Sequence, residues 1–447
     1  MKLRKLSAIF VFAFLYLFKS YAQETEYFSR QKLSNDIDSL YSSISDIHPF
    51  MFSHISKPEF ERNLEQTKQA LKDSMNIFEF YRLTAPLINK IGDGHTSLNY
   101  PIDILIERKI KVFPYNININ KSDSIASIVH DWSGSKDKIP YGAVILSING
   151  YDSKKLIQEC LNLVQGELFH FKVKVLNGLF PLILHSILND TVYTVTYQYK
   201  GEVYKKDVEG MDSGQYWESL NKPFEKDYIL FVKDYILSID EKTSSAVIRF
   251  DQFGFDENRF KNFLDSTFLL LKNKSITNLI IDLRKNGGGV STRGDELFQY
   301  ISPVPFQQFG KTIVKASDIV HQRYNTPGKG LFILEAPLIP LIDNPLRFKG
   351  NIYLLTSNLT FSSAASFSNA FQHFNMGKIV GEETGGMVVC FGNVFDCKLP
   401  NTGLHFGVSW QKYYLYGANE ETPRGVIPDF PVPEDQAMEK VMSMLQD

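Results

Sequence analysis

The chain has 447 residues, with 48 Lys and Arg against 50 Asp and Glu and a formal net charge of -2. That length calls for two or three domains, and the near balance of charge offers nothing to hold nucleic acid or an acidic membrane. A hydrophobic share of 43% excludes a largely disordered or fibrous chain, and three cysteines without a CxxC or HExxH spacing exclude a disulfide framework and a recognisable zinc site.

Lys2, Arg4 and Lys5 precede an apolar run from Leu6 to Phe18, followed by the small residues Ser20 and Ala22. This predicts a secretory signal over residues 1–22, cut after Ala22, with an uncleaved anchor as the alternative. The expectation is an exported protein of the bacterial periplasm or exterior, with no membrane span in the mature chain. In that oxidising setting Cys390 and Cys397 are expected to pair across a hairpin, leaving Cys160 single.

Apolar residues recur at helical spacing from Leu33 to Ile91: Ile37, Leu40 and Ile44, then Phe60, Leu64 and Leu71, then Phe78, Tyr81 and Leu87. A helical region over 23–108 follows, broken at His48-Pro49 and closed by Gly92-Asp93-Gly94. Between about Lys111 and Val208 the pattern alternates, as in Val195-Thr196-Tyr197-Gln198-Tyr199 and Asn116-Ile117-Asn118-Ile119. The run Tyr141–Ile148 reads as a strand closed by an Asn149-Gly150 turn, and Asp152–Leu163 as a helix. The expectation for 109–210 is a β-rich domain with one or two helices. From 211 to 447 the character is layered α/β. Strands are expected at Ser245–Phe250, Leu279–Leu283, Ile352–Leu355 and Lys378–Gly381, and helices at Phe260–Leu271 and Ser363–His373. The nearly continuous apolar strands suit a sheet buried on both faces.

Four stretches carry candidate chemistry. In Thr356–Phe367 a buried strand runs into a hydroxyl-rich turn and a small-residue helix start. A hydroxyl there lies beside unpaired N–H groups at the positive helix end, where an oxyanion would be stabilised; on spacing alone an ordinary serine N-cap is the commoner reason for such a pattern. In Ile91-Gly92-Asp93-Gly94-His95-Thr96 the glycines turn the backbone sharply and present His95, the residue type that activates serines. Asp282-Leu283-Arg284-Lys285-Asn286-Gly287-Gly288-Gly289 places three glycines after a buried strand, either as amide donors for a ligand or as a plain turn. It is neither a P-loop nor a dinucleotide fingerprint. The fourth stretch, Asn419–Asp429, offers Glu420 and Glu421, carboxylates that orient a histidine or are merely solvated.

In this order, Gly-Asp-Gly-His-Thr, Ile-Asp-Leu-Arg-Lys-Asn-Gly-Gly-Gly, Ser-Ser-Ala-Ala-Ser with Ile-Val-Gly-Glu-Glu-Thr-Gly-Gly, and Gly-Val-Ile-Pro-Asp resemble the tail-specific, or C-terminal processing, serine peptidase family. The resemblance implies a layered, crotonase/Clp-like α/β catalytic domain with an N-terminal helical region and an inserted PDZ-like domain. It implies a serine endopeptidase acting on peptides or unfolded protein tails through an acyl-enzyme, with no metal or organic cofactor. Ser363 falls at the nucleophile position, and the N–H groups of Ala364 and Gly288 at the oxyanion hole. One branch of the family uses a lysine base after Gly-Glu-x-Thr-x-Gly; Met387 stands there, and a thioether cannot take a proton. The tricorn-like branch uses a histidine and a C-terminal glutamate, which map to His95 and Glu421, with Glu420 as the near alternative. That branch also has a serine before the histidine, where this chain has Gly94. A ligand-binding protein without activity and an esterase are the rival readings.

Overall fold

A computed structural model describes residues 26–220, 230–232, 235–254, 256–421 and 423–446. The expected signal segment 1–22 lies outside the described residues. Among those described, no helix is long and apolar enough to cross a membrane.

The front of the chain forms helices Arg30–Ile47, Lys57–Gln69 and Ile77–Asn89. Their ends follow local chemistry. The first stops at His48, the residue before Pro49, which disfavours helical backbone at its predecessor. The third opens with a reciprocal capping box between Asn76 and Glu79. Next comes a six-stranded antiparallel sheet. Its main path runs Glu202–Glu209, Val192–Tyr199, Val144–Ile148, Ala126–Asp131, Tyr115–Ile119. The Asn149-Gly150 turn is present, with φ of 50° and 80° at its two residues, the left-handed pair that a tight hairpin needs.

Helix Ser153–Leu163 starts after its Asp152 cap, whose carboxylate accepts from Lys155 N–H. A second helix, Phe169–His185, escapes the period analysis because it is apolar around most of its circumference. Residues of the front helices and of this sheet share one continuous core, from Leu33 and Phe60 through Phe113, Leu176 and Tyr193.

The back of the chain holds a seven-stranded sheet in the order Leu230–Val232, Tyr235–Asp240, Ser245–Phe250, Asn278–Asp282, Asn351–Thr356, Lys378–Gly381, Phe430–Pro431. The last five are mutually parallel. Leu279, Ile281, Ile352 and Leu354 face a core built with helices Glu257–Asn273, Ser291–Ile301 and Ser363–His373. Ile280, Tyr353 and Leu355 face the opposite way, against Ala437 and Val441 of helix Ala437–Met444. Cover on both faces is why these strands read as unbroken apolar runs.

A second sheet, which the α/β reading does not anticipate, lies alongside. Long strands Val389–Lys398 and His405–Leu415 form a hairpin, extended by Phe309–Ala316 and Gly330–Leu334. The short strand Ser97–Leu98 joins it by pairing with Phe406 and Gly407. This pairing ties the loop carrying His95, from the front of the chain, to the back half.

The expected Cys390–Cys397 pair is corrected. Both residues lie on the one strand Val389–Lys398, opposite Tyr413 and Phe406 rather than each other. Seven residues of extended chain span roughly 23 Å, whereas a disulfide needs Cα atoms about 4.4–6.8 Å apart. All three cysteines are free.

Candidate active site

The parallel strands Asn278–Asp282 and Asn351–Thr356 end side by side, and their loops meet above the sheet. Ligand sites of open α/β sheets form at such strand ends. After the first strand, Asn286 anchors the glycine run: its amide donates to Phe250 O at 3.0 Å and its side-chain oxygen accepts from Gly288 N–H at 2.8 Å. After the second, Ser357, Thr360 and Phe361 tie back to that loop, with Phe361 N–H donating to Asn286 O at 3.1 Å. Gly288, at φ +104°, lies so close that a Cβ there would come within 2.6 Å of Ser362 Cβ. Only glycine permits this approach.

Ser362 sits at the N-cap of helix Ser363–His373 with φ 50° and ψ −125°, backbone that a serine rarely adopts. A serine cap normally accepts from the first-turn N–H groups; this one makes no such bond. Its hydroxyl instead faces His95, with Oγ 3.0 Å from Nε2. A strained residue at a strand-to-helix turn, with its side chain held off the helix, is the geometry of an exposed nucleophile.

The sequence reading puts the nucleophile at Ser363, whose hydroxyl does not face His95. The Ser363 hydroxyl donates to Gly289 O at 2.7 Å and is turned into the glycine loop. The sequence offers Ser362 and Ser363 as neighbours of the same type, and only the backbone turn at Ser362 decides which hydroxyl projects. The donors shift in the same sense. Ala364 N–H is spent on Phe361 O at 3.0 Å, and Gly288 N–H on Asn286. Among the described residues, the N–H groups of Ser363 and Gly289 at this corner meet no acceptor.

His95 is partly buried, its side chain 13% exposed, and desolvation, partly opposed by nearby Asp93, pushes its pKa below the ordinary value of 6.5. A neutral imidazole results, able to accept a proton. The ring stacks on Phe361 with centroids 4.6 Å apart, and Phe361 stacks on Phe171 at 4.4 Å. Asp93 fixes the loop: Oδ1 accepts from His95 N–H at 2.8 Å and Oδ2 lies 3.2 Å from His48 Nε2. The imidazole Nδ1, 3.9 Å from Asp93 Oδ1, is buried without a hydrogen-bond partner.

Glu421 is not brought to His95. It is exposed, its N–H donating to the Asn419 side chain. The Glu420 carboxylate accepts from Lys412 Nζ at 2.9 Å and from the Tyr414 hydroxyl, and these partners hold its pKa low. Sequence reasoning passes over the carboxylate that does lie close, Glu167. One oxygen of Glu167, one of Asp93 and one ring nitrogen of His95 lie within 4.8 Å of one another. Glu167 sits in a loop without motif or repeat, so nothing in the sequence marks it. Asp93, by contrast, stands within the quoted motif. The trio holds three metal-type ligand atoms, but Asp93 already spends both oxygens on His48 and His95, and we read it as a proton-sharing cluster. Met387 is buried nearby, beside Gly386, where a Cβ would come within 3.0 Å of Ser362 N.

The sequence pattern of Peptidase family S41 matches residues 244–432, the stretch with the parallel sheet, the glycine loop and the serine pair. Among solved structures the fold is similar to mature CPAF, with a TM-score of 0.64 and 14% identity over 93% of this chain and 96% of that one. It is similar too to mature CPAF complexed with lactacystin, TM-score 0.63 and 14% identity over 93% and 97% of the two chains. A CPAF serine-to-alanine variant gives a TM-score of 0.66, with 14% identity over 93% and 96%. At such identity the likeness concerns the fold alone. The family pattern falls on the very stretch that builds the serine corner, so residues 244–432 are similar to the serine peptidases of family S41.

Proposed function

We propose that the chain is an active endopeptidase in which Ser362 is the nucleophile and His95 the general base. The observation that carries this is the 3.0 Å approach of His95 Nε2 to Ser362 Oγ across 267 residues of sequence. Ser362 Oγ attacks the scissile carbonyl carbon while its proton passes to His95 Nε2. The N–H groups of Ser363 and Gly289 hold the oxyanion, each donor being worth on the order of 3 kcal/mol of barrier. Collapse breaks the C–N bond, His95 gives its proton to the leaving amine, and an acyl-Ser362 ester remains. Water, deprotonated by His95, then releases the acid and restores the hydroxyl.

The substrate class is a peptide or unfolded protein tail. The antiparallel sheet of the front half, the expected PDZ-like domain of 109–210, has an edge strand at Tyr115–Ile119 suited to pairing with an extended chain. The basic, apolar, small-residue start supports export, and N-terminal sequencing of the secreted protein should begin at Gln23.

A fluorophosphonate probe tests the reading, since it reacts with activated serines. Labelling confined to Ser362, and lost in Ser362→Ala, is expected. A folded protein that stays unlabelled, yet binds an apolar ligand, would be the inactive relative instead. Turnover of esters without peptides would make it an esterase.

A further inference from the structure

We propose that Glu167 is the positioning residue for the base, accepting the His95 Nδ1–H so that Nε2 presents its lone pair to Ser362. This rests on the peptidase reading above and supplies the carboxylate that Glu421 does not.

Three observations converge. First, the His95 Nδ1 and both carboxylate oxygens of Glu167 are buried without hydrogen-bond partners. Buried orphans are rare enough to call for an explanation, and here they belong to two residues that bring a ring nitrogen of one and a carboxylate oxygen of the other within 4.8 Å. Apo hydrogen bonds of this kind are often long and tighten on substrate binding. Second, Gly94 leaves room for Glu167: a methyl at 94 would overlap Glu167 Oε2. The position where the tricorn-like branch carries a serine is empty here because a carboxylate from another segment fills it. Third, the segment is anchored against the serine corner. Phe171 stacks on Phe361, and His170 Nε2 lies 3.2 Å from Thr384 O.

Glu167 faces Asp93 and His95 from the Gly92–Thr96 loop, with His48 behind Asp93, and Cys390 from the hairpin. His54, Lys412 and Glu420 line the same cavity. Burial, reinforced by the Asp93 charge and softened by nearby backbone N–H groups, raises its pKa to about 8. Protonated, it offers Nδ1–H only a neutral carbonyl oxygen and can turn its own O–H toward the ring; ionised, it is a strong, charged acceptor that holds the proton on Nδ1. The proton belongs to the cluster rather than to one group, and the base gains its correct tautomer as that proton leaves.

The rate of fluorophosphonate labelling at Ser362 against pH tests this on the full chain. Wild type should show a rise approaching pH 8. In Glu167→Gln, whose amide can hold the wrong tautomer, labelling at pH 8 should fall at least tenfold. The remaining rise should move below pH 6.5, where His95 titrates alone. Gly94→Ala, which displaces Glu167 without altering it, should do the same, covering the case in which the glutamine variant fails to fold. Glu421→Gln should stay within twofold of wild type. Rates within twofold of wild type in Glu167→Gln and Gly94→Ala, a lower rate with an unmoved pH midpoint, or loss in Glu421→Gln would each overturn the inference. An unlabelled wild type would instead sink the peptidase reading itself.

Discussion

The serine corner and the histidine pocket meet at one 3.0 Å contact but are built on opposite terms. On the serine side the side-chain polar groups are accounted for. Asn286, Ser357, Thr360, Ser363, Ser366 and Ser368 all hold hydrogen bonds, most of them to backbone carbonyls. On the histidine side, His95 Nδ1 and both oxygens of Glu167 are left over. A fully paired network is rigid, and an unpaired one carries free energy that a proton or a substrate can release. Rigidity therefore sits beside the proposed nucleophile, and the unsatisfied groups beside the proposed base.

The largest test of this contrast separates the two adjacent serines. Ser362→Ala should cut peptide turnover by about 10⁴-fold or more, while Ser363→Ala, which removes only a bond to Gly289 O, should stay within about tenfold. Equal losses, measured as kcat/KM, would erase the distinction between projecting and anchoring hydroxyls.

Next is the close approach of the glycine loop. Gly288→Ala sets a methyl 2.6 Å from Ser362 Cβ, on backbone at φ +104°. It should lower turnover by about 100-fold and stability by about 1–3 kcal/mol. An alanine variant with normal Tm and rate would show that the corner is looser than its hydrogen bonds indicate.

On the histidine side the prediction concerns stability. Glu167 has a folded pKa raised to about 8, from an ordinary 4.5. Its protonated form favours the fold fully below pH 4.5, and that favour is lost as pH rises toward 8. Glu167→Gln should therefore raise stability at pH 9 over wild type by a few kcal/mol, since each tenfold difference in proton affinity between folded and unfolded chain is worth about 1.36 kcal/mol. Little difference is expected at pH 4. Thermal unfolding at both pH values checks this. A variant that is more stable yet slower has exchanged a functional strain for stability; a destabilised variant at pH 9 would mean that Glu167 is a structural member already satisfied.

The smallest effect is a null one. Met387→Lys supplies the amine of the family's other branch, but His95 already faces Ser362, and turnover should not rise. A large gain, with a rate that climbs only near the free lysine value of about 10.4, would hand the base role to the lysine position.

Much is readable without any coordinates. The helix break at His48, the Asn149-Gly150 turn and the buried strands around Ile281 and Leu354 all follow from local rules. So do His95 and the glycine loop, because tight backbone turns demand glycine. Helix Phe169–His185 is hidden by its all-round apolarity, and the hairpin Val389–Lys398 with His405–Leu415 by its place in an α/β stretch.

By itself, then, the sequence determined which residue types reach the site: a serine pair, one loop histidine and a run of glycines, each demanded by a turn or a helix end. Only the tertiary structure decided which serine projects, through the positive φ at Ser362, and which carboxylate lies beside the imidazole, through a loop folded in from residue 167. Both choices depend on where distant chain segments meet in space, and neither residue spacing nor periodicity carries that information.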